Sequence, residues 1–327
     1  MFRHGLILGL FASLACAQTA SPSPKAGSEK QQLMWQKVEQ AVHYADHELD
    51  GVLAVAVEDL TSGQKLQWHG EELIPTASTI KIAVLAELYH QTQLAAEAAA
   101  AGRKCDSPCG ATLQTEYVFN PQDLVPDSDI MGGLTPGVTR LTLRDVATMM
   151  IAVSDNSATN VLIDRLGLDN VTHYMESLGF RQIRLRRKMM DLAAAQQGRE
   201  NAASPNDVAG LLAAVYRGRV FDHALSEDFL KMLSTHKDSP FHRALPDDVR
   251  MADKPGELEG VRNDCGIVWA TNRPFVLCAM TTYDRRERQA EDVIARLAGR
   301  VYDVFERLGR ASDLGRTISP GNATPNP

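Results

Sequence analysis

Strand-like segments stand at both ends of this chain and helical segments fill its middle, and that order restricts the available folds more than any other feature. Gly51 to Leu60 (GVLAVAVEDL) is an apolar run that ends in the turn sequence Thr61-Ser62-Gly63-Gln64, and Lys65 to His69 reads as the returning strand. Strand patterns recur only far downstream, at Val249 to Lys254, Gly266 to Ala270 and Phe275 to Thr282. Between the two groups lie an Ala-rich helix from Ser78 to about Ala101, a loop-like insertion over 102–116, and helices from about Leu141 to Leu233 broken by Gly, Pro and Asn. Gln31 to Leu49 and the amphipathic stretch Arg285 to Leu308 add a helix at each end. The expectation is an α+β fold: an antiparallel sheet built from N- and C-terminal segments and flanked by helices, with an inserted all-helical lobe. A cleft between the lobes is where polar groups from both can converge. No internal repeat is found.

The ends read differently from the body. Residues 1–17 have the form of an export signal: Arg3 and His4, an apolar stretch from Gly5 to Ala15, and Ala15-Cys16-Ala17 as the small-x-small cleavage pattern. Eleven apolar residues are too few to span a bilayer, and no other segment approaches the ~18 needed. A lipoprotein with Cys16 as its lipidated first residue ranks second, because Ser13 fits the start of such a box poorly. Residues 18–30 read as a linker, 31–310 as the folded domain, and 311–327 as a loose tail. The expected protein is exported, periplasmic or secreted, monomeric, and without a stable membrane anchor. The net charge of −7 and the lack of any basic tract argue against nucleic acid as a partner, as does an aromatic content of 6%.

Four cysteines remain after the leader. Cys105 and Cys109 bracket a tight loop, and Cys265 and Cys278 are equidistant from a turn near Thr271-Asn272, so they can face each other across a hairpin. Buried thiols are the alternative. Their spacing does not suit a metal, and His43 and His47 have no Glu-containing HExxH frame. No metal or other cofactor is expected.

Three short elements can carry chemistry. In Ser78-Thr79-Ile80-Lys81, a serine and a lysine three apart at a helix start share one face, within hydrogen-bonding reach. A serine hydroxyl becomes a useful nucleophile once a base takes its proton, and a lysine near the positive end of a helix dipole is biased toward its neutral form. The plainer reading of Ser78 is a helix cap. A second Ser-x-x-Lys, Ser234-Thr235-His236-Lys237, shows how often this spacing arises by chance. The second element is Ser154-Asp155-Asn156, whose plainer reading is again a cap; Ser204-Pro205-Asn206 shares its loose pattern. The third is Lys254-Pro255-Gly256 at a strand end, otherwise an ordinary Pro-Gly turn.

Together, with Ser-Asp-Asn 76 residues after Ser78 and Lys-x-Gly 100 residues further on, these elements resemble the class A serine β-lactamases and their penicillin-binding relatives. The likeness extends through LTLRDVATMMIAVSDNSATNVLIDRLG and VRNDCGIVW, and over roughly residues 31–309. The resemblance implies that Ser78 is acylated by a small-molecule substrate, a β-lactam or a D-Ala-D-Ala-like peptide. It implies that Lys81 helps activate Ser78, that Ser154 passes a proton to the leaving nitrogen, and that Asn156 holds the substrate amide. Lys254, followed by Gly256, would supply positive charge for the substrate carboxylate, and the N–H groups of Ser78 and Glu257 would form an oxyanion hole.

The sequence departs from that pattern twice. Pro255 stands where the family has Thr or Ser, so a hydroxyl for the substrate carboxylate is missing, with Arg262 as the nearest cation to replace it. Proline suits an edge strand, where its missing N–H leaves no ladder bond unmade. Met189 falls where class A enzymes carry the Glu that activates the deacylating water; Asp191 is two positions away and Glu200 further on. Losing a general base costs ~10²–10⁴ in rate, so the acyl-enzyme should persist. A DD-peptidase or acyltransferase on cell-wall peptides is the alternative activity, and a non-catalytic penicillin-binding scaffold the third.

Overall fold

In the computed structural model, which describes residues 29–317 except 106, 107 and 313, the two ends of the chain meet in one sheet. The chain starts with α1 (Glu29–Glu48), the hairpin β1 (Val52–Asp59) and β2 (Lys65–Trp68), the two-residue β3 (Ile74–Pro75), and a 3-10 turn (Ala77–Ile80) that runs into α2 (Lys81–Ala100). A small ribbon of β4 (Glu116–Val118) and β5 (Arg140–Thr142) precedes α3 (Leu143–Ala152), α4 (Asn156–Leu166) and α5 (Leu168–Ser177). Then come α6 (Leu192–Gln196), β6 (Ala202–Ala203) paired to β3, α7 (Pro205–Tyr216), α8 (His223–Leu233) and α9 (Pro240–Ala244). β7 (Met251–Leu258), β8 (Val261–Val268), β9 (Phe275–Thr282) and α10 (Glu287–Arg310) complete the domain.

The sheet order is β2-β1-β9-β8-β7, antiparallel throughout. Its centre is the pairing of β1 with β9, so neither end of the chain can form it alone. Side chains alternate across a strand. Leu53, Val55 and Val57 of β1 therefore pack with Leu277 and Phe275 under α1 and α10, while Ala54 and Ala56 join Val276, Cys278 and Met280 beneath the helical lobe. Because both faces are covered, β1 reads as an unbroken apolar run.

The inserted lobe is built around α2. Ile82, Val84, Leu85, Leu88 and Tyr89 are all buried, which makes α2 a core helix wrapped on every side. Side-chain caps close the lobe's helix starts. Thr142 and Asp145 form a capping box on α3, Asp155 caps α4 by accepting from Ala158 N at 2.9 Å, and Ser204 caps α7 through Asp207 N at 3.2 Å.

Three expectations are corrected. The helix expected from Ser78 begins at Lys81, and Ser78 sits in the 3-10 turn before it. Lys254-Pro255-Gly256 is not at a strand end: β7 continues to Leu258, and the hairpin turns at Glu259-Gly260. Pro-Gly reads as a turn, but β7 is an edge strand with one free side, so proline does not end it. Residues 311–317, expected as part of a loose tail, fold back through an Ala311–Thr317 bridge, and Lys30 Nζ donates to Leu314 O at 3.1 Å. The leader at 1–17, the linker up to residue 28 and residues 318–327 lie outside the described residues. Among the described residues no helix is long and apolar enough to cross a membrane.

Both cysteine pairs are joined, Cys105 to Cys109 and Cys265 to Cys278, the latter directly opposite on β8 and β9. Replacing Cys265 and Cys278 by Ala should lower unfolding free energy by about 2–4 kcal/mol, seen as an earlier denaturation midpoint. An unchanged midpoint would mean that the bridge contributes nothing.

Candidate active site

The turn that carries Ser78 is clamped from two sides. Thr79 Oγ1 donates to Lys254 O at 3.2 Å, and Asn263 Nδ2 donates to Pro75 O at 2.9 Å, which ties the turn to the sheet. Thr76 donates to Asn201 O through its N–H at 2.9 Å and its hydroxyl at 3.1 Å, which ties it to the long loop after α5. β7 comes close enough that a Cβ on Gly256 would stand 2.6 Å from Thr76 O and 3.0 Å from Thr79 N. Neither the 3-10 turn nor α2 has a side-chain cap, so the capping explanation for Ser78 fails.

Ser154 is the hub. Its hydroxyl donates to Ser78 Oγ at 2.8 Å, and accepts from Lys81 Nζ at 3.0 Å and Lys254 Nζ at 3.1 Å. Lys81 also donates to the Ser154 carbonyl and, at 3.0 Å, to Asn156 Oδ1. The expected direct Ser78–Lys81 hydrogen bond is not formed; Ser154 stands between them. Four of the seven described non-glycine residues with positive φ are Ala77, Asp127, Ser154 and Met190. Backbone strain is thus concentrated around this constellation.

Both lysines are buried, Lys81 at 0% and Lys254 at 1% exposure. Burial, then the neighbouring charge of Lys254, holds the Lys81 amine well below the usual lysine range. The helix end is therefore not the main cause. Burial, then the charge of Lys237, pushes Lys254 down to about 8.

A cleft of about 500 Å³ opens above this floor, between the lobes. Ser78, Ser154, Asn156, Lys254, Gly256 and Glu257 line it, as expected, together with Val153, Asp127, Asp129, Lys237 and Asp238, which sequence reasoning did not select. Lys237 belongs to the second Ser-x-x-Lys, a spacing that points to no chemistry in the sequence. Asp127 and Asp129 carry no motif, but they precede Ser154-Asp155-Asn156 in space: Asn156 N donates to Asp127 O at 3.2 Å.

Arg262 is not in the cleft. Its guanidinium bonds Glu291 at 2.9 Å, Glu287 at 2.6 Å and the carbonyls of Leu258 and Val261, on the α10 side of the sheet. The expectation that it replaces the Pro255 hydroxyl is corrected. Met189 is buried, packed into the core of the helical lobe. Asn160, four residues after Asn156, clamps its backbone: Met189 N donates to Asn160 Oδ1 at 2.8 Å, and Asn160 Nδ2 donates to Met189 O at 3.1 Å. The nearby carboxylates have other roles. Asp191 caps α6 through Ala194 N at 2.9 Å, and Glu200 pairs with Arg187 at 2.7 Å.

Comparison with known proteins follows the same lines. A family model described as the beta-lactamase enzyme family matches residues 35–305. Beta-lactamase SME-1 of Serratia marcescens is 26% identical over 265 residues, which cover 78% of this chain and 84% of that protein. An ancestral class A beta-lactamase matches with a TM-score of 0.71 and 25% identity over 82% of this chain and 100% of that one. A mutant of PBP-A, solved as an acyl-enzyme complex with penicillin G, shares the fold at a TM-score of 0.70 and 23% identity, over 83% of this chain and 97% of that one.

Gly256→Ala tests the clamp. The added methyl meets the Thr76 carbonyl as well as Oγ1 and N of Thr79, so β7 and the Ser78 turn must separate. The expected result is a folded protein with a lower melting point and acylation of Ser78 slowed about a hundredfold, read with a fluorescent acylating probe. Unchanged acylation would show that the close approach is dispensable.

Proposed function

We propose that this chain, which belongs to the class A serine β-lactamase family, opens the amide of a β-lactam through an acyl-enzyme on Ser78 and releases it slowly. The observation that carries this reading is the single Ser154 hydroxyl shared by Ser78, Lys81 and Lys254. Lys81, held by burial well below the usual lysine range, can accept the Ser78 proton through the Ser154 hydroxyl once the two hydroxyls rotate to point toward it. Ser78 Oγ then bonds the lactam carbonyl carbon. The N–H groups of Ser78 and Glu257 face the developing oxyanion. When the C–N bond breaks, the nitrogen takes the Ser154 proton, and Lys81 returns one to Ser154. Asn156 holds the substrate amide, and Lys254 supplies fixed positive charge to Ser154 and to a substrate carboxylate.

Deacylation needs a base for water, and Met189 offers only a thioether, a weak acceptor. Its backbone is clamped by Asn160, and Asp191 and Glu200 are held elsewhere. This favours a persistent acyl-enzyme. It also supports the second reading, a DD-peptidase or acyltransferase on cell-wall peptides, in which the same Ser78 chemistry operates. We place the protein outside the cytoplasm on the strength of its leader-like 1–17 segment, acting alone on small substrates.

A fluorescent penicillin should label Ser78, and a chromogenic cephalosporin should turn over slowly. Ser78→Ala should abolish both, and Met189→Glu should speed release by ~10²–10⁴. Rapid turnover by the unaltered protein would contradict slow release, and a folded protein that takes no label would leave only the scaffold reading. A peptidase would instead cleave a D-Ala-D-Ala peptide.

The pH dependence has a defined sign. Lys254 is charged below about 8 and neutral above it. Acylation by a carboxylate-bearing penicillin should therefore fall as pH rises through about 8, while its methyl ester should lose much less. Equal losses for acid and ester would detach Lys254 from carboxylate binding.

A further inference from the structure

The long loop after α5 carries a row of cations that the chemistry at Ser78 does not use. From Ile183 to Met189 its residues alternate in burial as in a strand. Ile183, Leu185, Arg187 and Met189 are buried, while Arg184, Arg186 and Lys188 reach solvent. Every second residue turns inward, so the sequence shows no unbroken basic tract, yet three cations stand in line. Arg184 Nε donates to Arg181 O at 3.3 Å, which sets the exposed Arg181 at the end of the row.

The backbone beneath these side chains is fixed from three sides. Arg184 and Ala202 exchange hydrogen bonds in both directions, at 2.8 and 3.2 Å. Leu185 does the same with the Thr172 hydroxyl of α5, at 3.1 Å each way. Asn201 Oδ1 accepts from the N–H groups of Arg186 and Arg187 at 2.7 and 3.0 Å. A rigid display lowers the entropy lost when a partner binds.

The charge on this row is poorly neutralised. Arg187, turned inward, pairs with Glu200 at 2.7 Å. Lys188 meets Asp164 at 2.5 Å, but both are partly exposed, so that contact is weak. Arg181, Arg184 and Arg186 pair with no carboxylate among the described residues, whereas the exposed Arg140, Arg296 and Arg310 each hold one. Nearby acids are engaged elsewhere: Asp191 caps α6, and Glu71 accepts from Asn206 at 2.6 Å and from Gln182 at 3.4 Å. A chain of net charge −7 thus presents a local basic line. An anion laid along it relieves the repulsion between its members, and guanidinium forks match phosphate oxygens.

We propose that Arg181, Arg184, Arg186 and Lys188 form a docking site for a linear polyanion, a chain with a phosphate at each repeat. A single row suits a chain, whereas a flat anionic membrane would meet cations spread in two dimensions. None of the four lines the cleft, so docking leaves the cleft open. The loop is nonetheless tied to the Ser78 turn, because Thr76 donates twice to Asn201 O. The polymer therefore holds the protein by a face next to its site, without competing for that site.

End-labelled inorganic polyphosphate and fluorescence anisotropy provide the test. Binding should weaken with salt, with a slope of about −2 in log affinity against log salt, as expected for three released counterions. Arg181→Gln, Arg184→Gln and Arg186→Gln combined should lower affinity more than tenfold at low salt. The Arg186 side chain makes no hydrogen bond or ion pair among the described residues, so Arg186→Gln alone should fold normally and flatten the slope by about 0.7. It serves if the triple variant does not fold. Arg288→Gln, Arg300→Gln and Arg307→Gln on α10 change net charge equally and should leave binding unaltered. Equal losses in the two triple variants, no binding at low salt, or competition by inorganic phosphate at the same total phosphate would overturn the proposal. Vesicles of anionic phospholipid that bind through the same arginines more tightly than polyphosphate would overturn it too, in favour of a membrane. Labelling of Ser78 by fluorescent penicillin reports on the acyl-enzyme reading separately.

Discussion

Two lysine side chains are buried against one serine hydroxyl, and among the described residues no carboxylate touches either of them. Lys81 comes from the start of α2, Ser154 from the strained turn before α4, and Lys254 from the edge strand β7. The hydroxyl is reached only if the helical lobe and the sheet close on one another, and they do so at Gly256, where β7 lies directly on the Ser78 turn. Burying two like charges side by side is unfavourable, and the molecule responds by lowering their basicity. Lys81 is pushed well below the usual lysine range, which suits the base it is proposed to be. Lys254 keeps its proton at neutral pH and becomes a fixed charge. The same unfavourable burial thus yields two different functional groups.

Counter-charge is supplied one layer down. Asp253 follows Met251 and Ala252 in β7 and points beneath the cleft, where the Lys237 ammonium and the His242 ring each stand 3.4 Å from its Oδ1. Burial opposes its ionisation, but the His242 contact and the Lys237 charge outweigh that and keep it below the usual carboxylate range. Asp264, fully buried beside it, is driven the other way by burial and by the Asp253 charge. Asp253 is thus the more acidic of the two carboxyls and Asp264 the less acidic.

Much of this was legible along the chain. The apolar strand runs at either end, the turn chemistry of the first hairpin, the cysteines opposite one another on β8 and β9 and the cap within Ser154-Asp155-Asn156 all act over a few residues, so local pattern reveals them. The cleft residues Ser78, Ser154, Asn156, Lys254, Gly256 and Glu257 were legible because the spacing of three motifs is itself a record of how the fold brings them together. Arg262 and Lys237 show the limit. Arg262 is eight residues from Lys254 in sequence, but across the β7–β8 hairpin it faces Glu287 and Glu291. Lys237 belongs to a motif with no nucleophilic role, yet the α8–α9 connection delivers it to the cleft.

The sequence by itself determined the α+β order, the motif set of Ser78, Lys81, Ser154 and Lys254, and a methionine at position 189. These follow from residue identity, from period, and from spacings fixed along the chain. Only the tertiary structure decided that Ser154, not a direct Ser78–Lys81 contact, links the two, that Pro255 lies within an edge strand and not at its end, and which cation stands beside Lys254. Those outcomes depend on which groups share one small desolvated volume. Desolvation is set by elements distant in sequence, and no local pattern encodes the sum of their contributions.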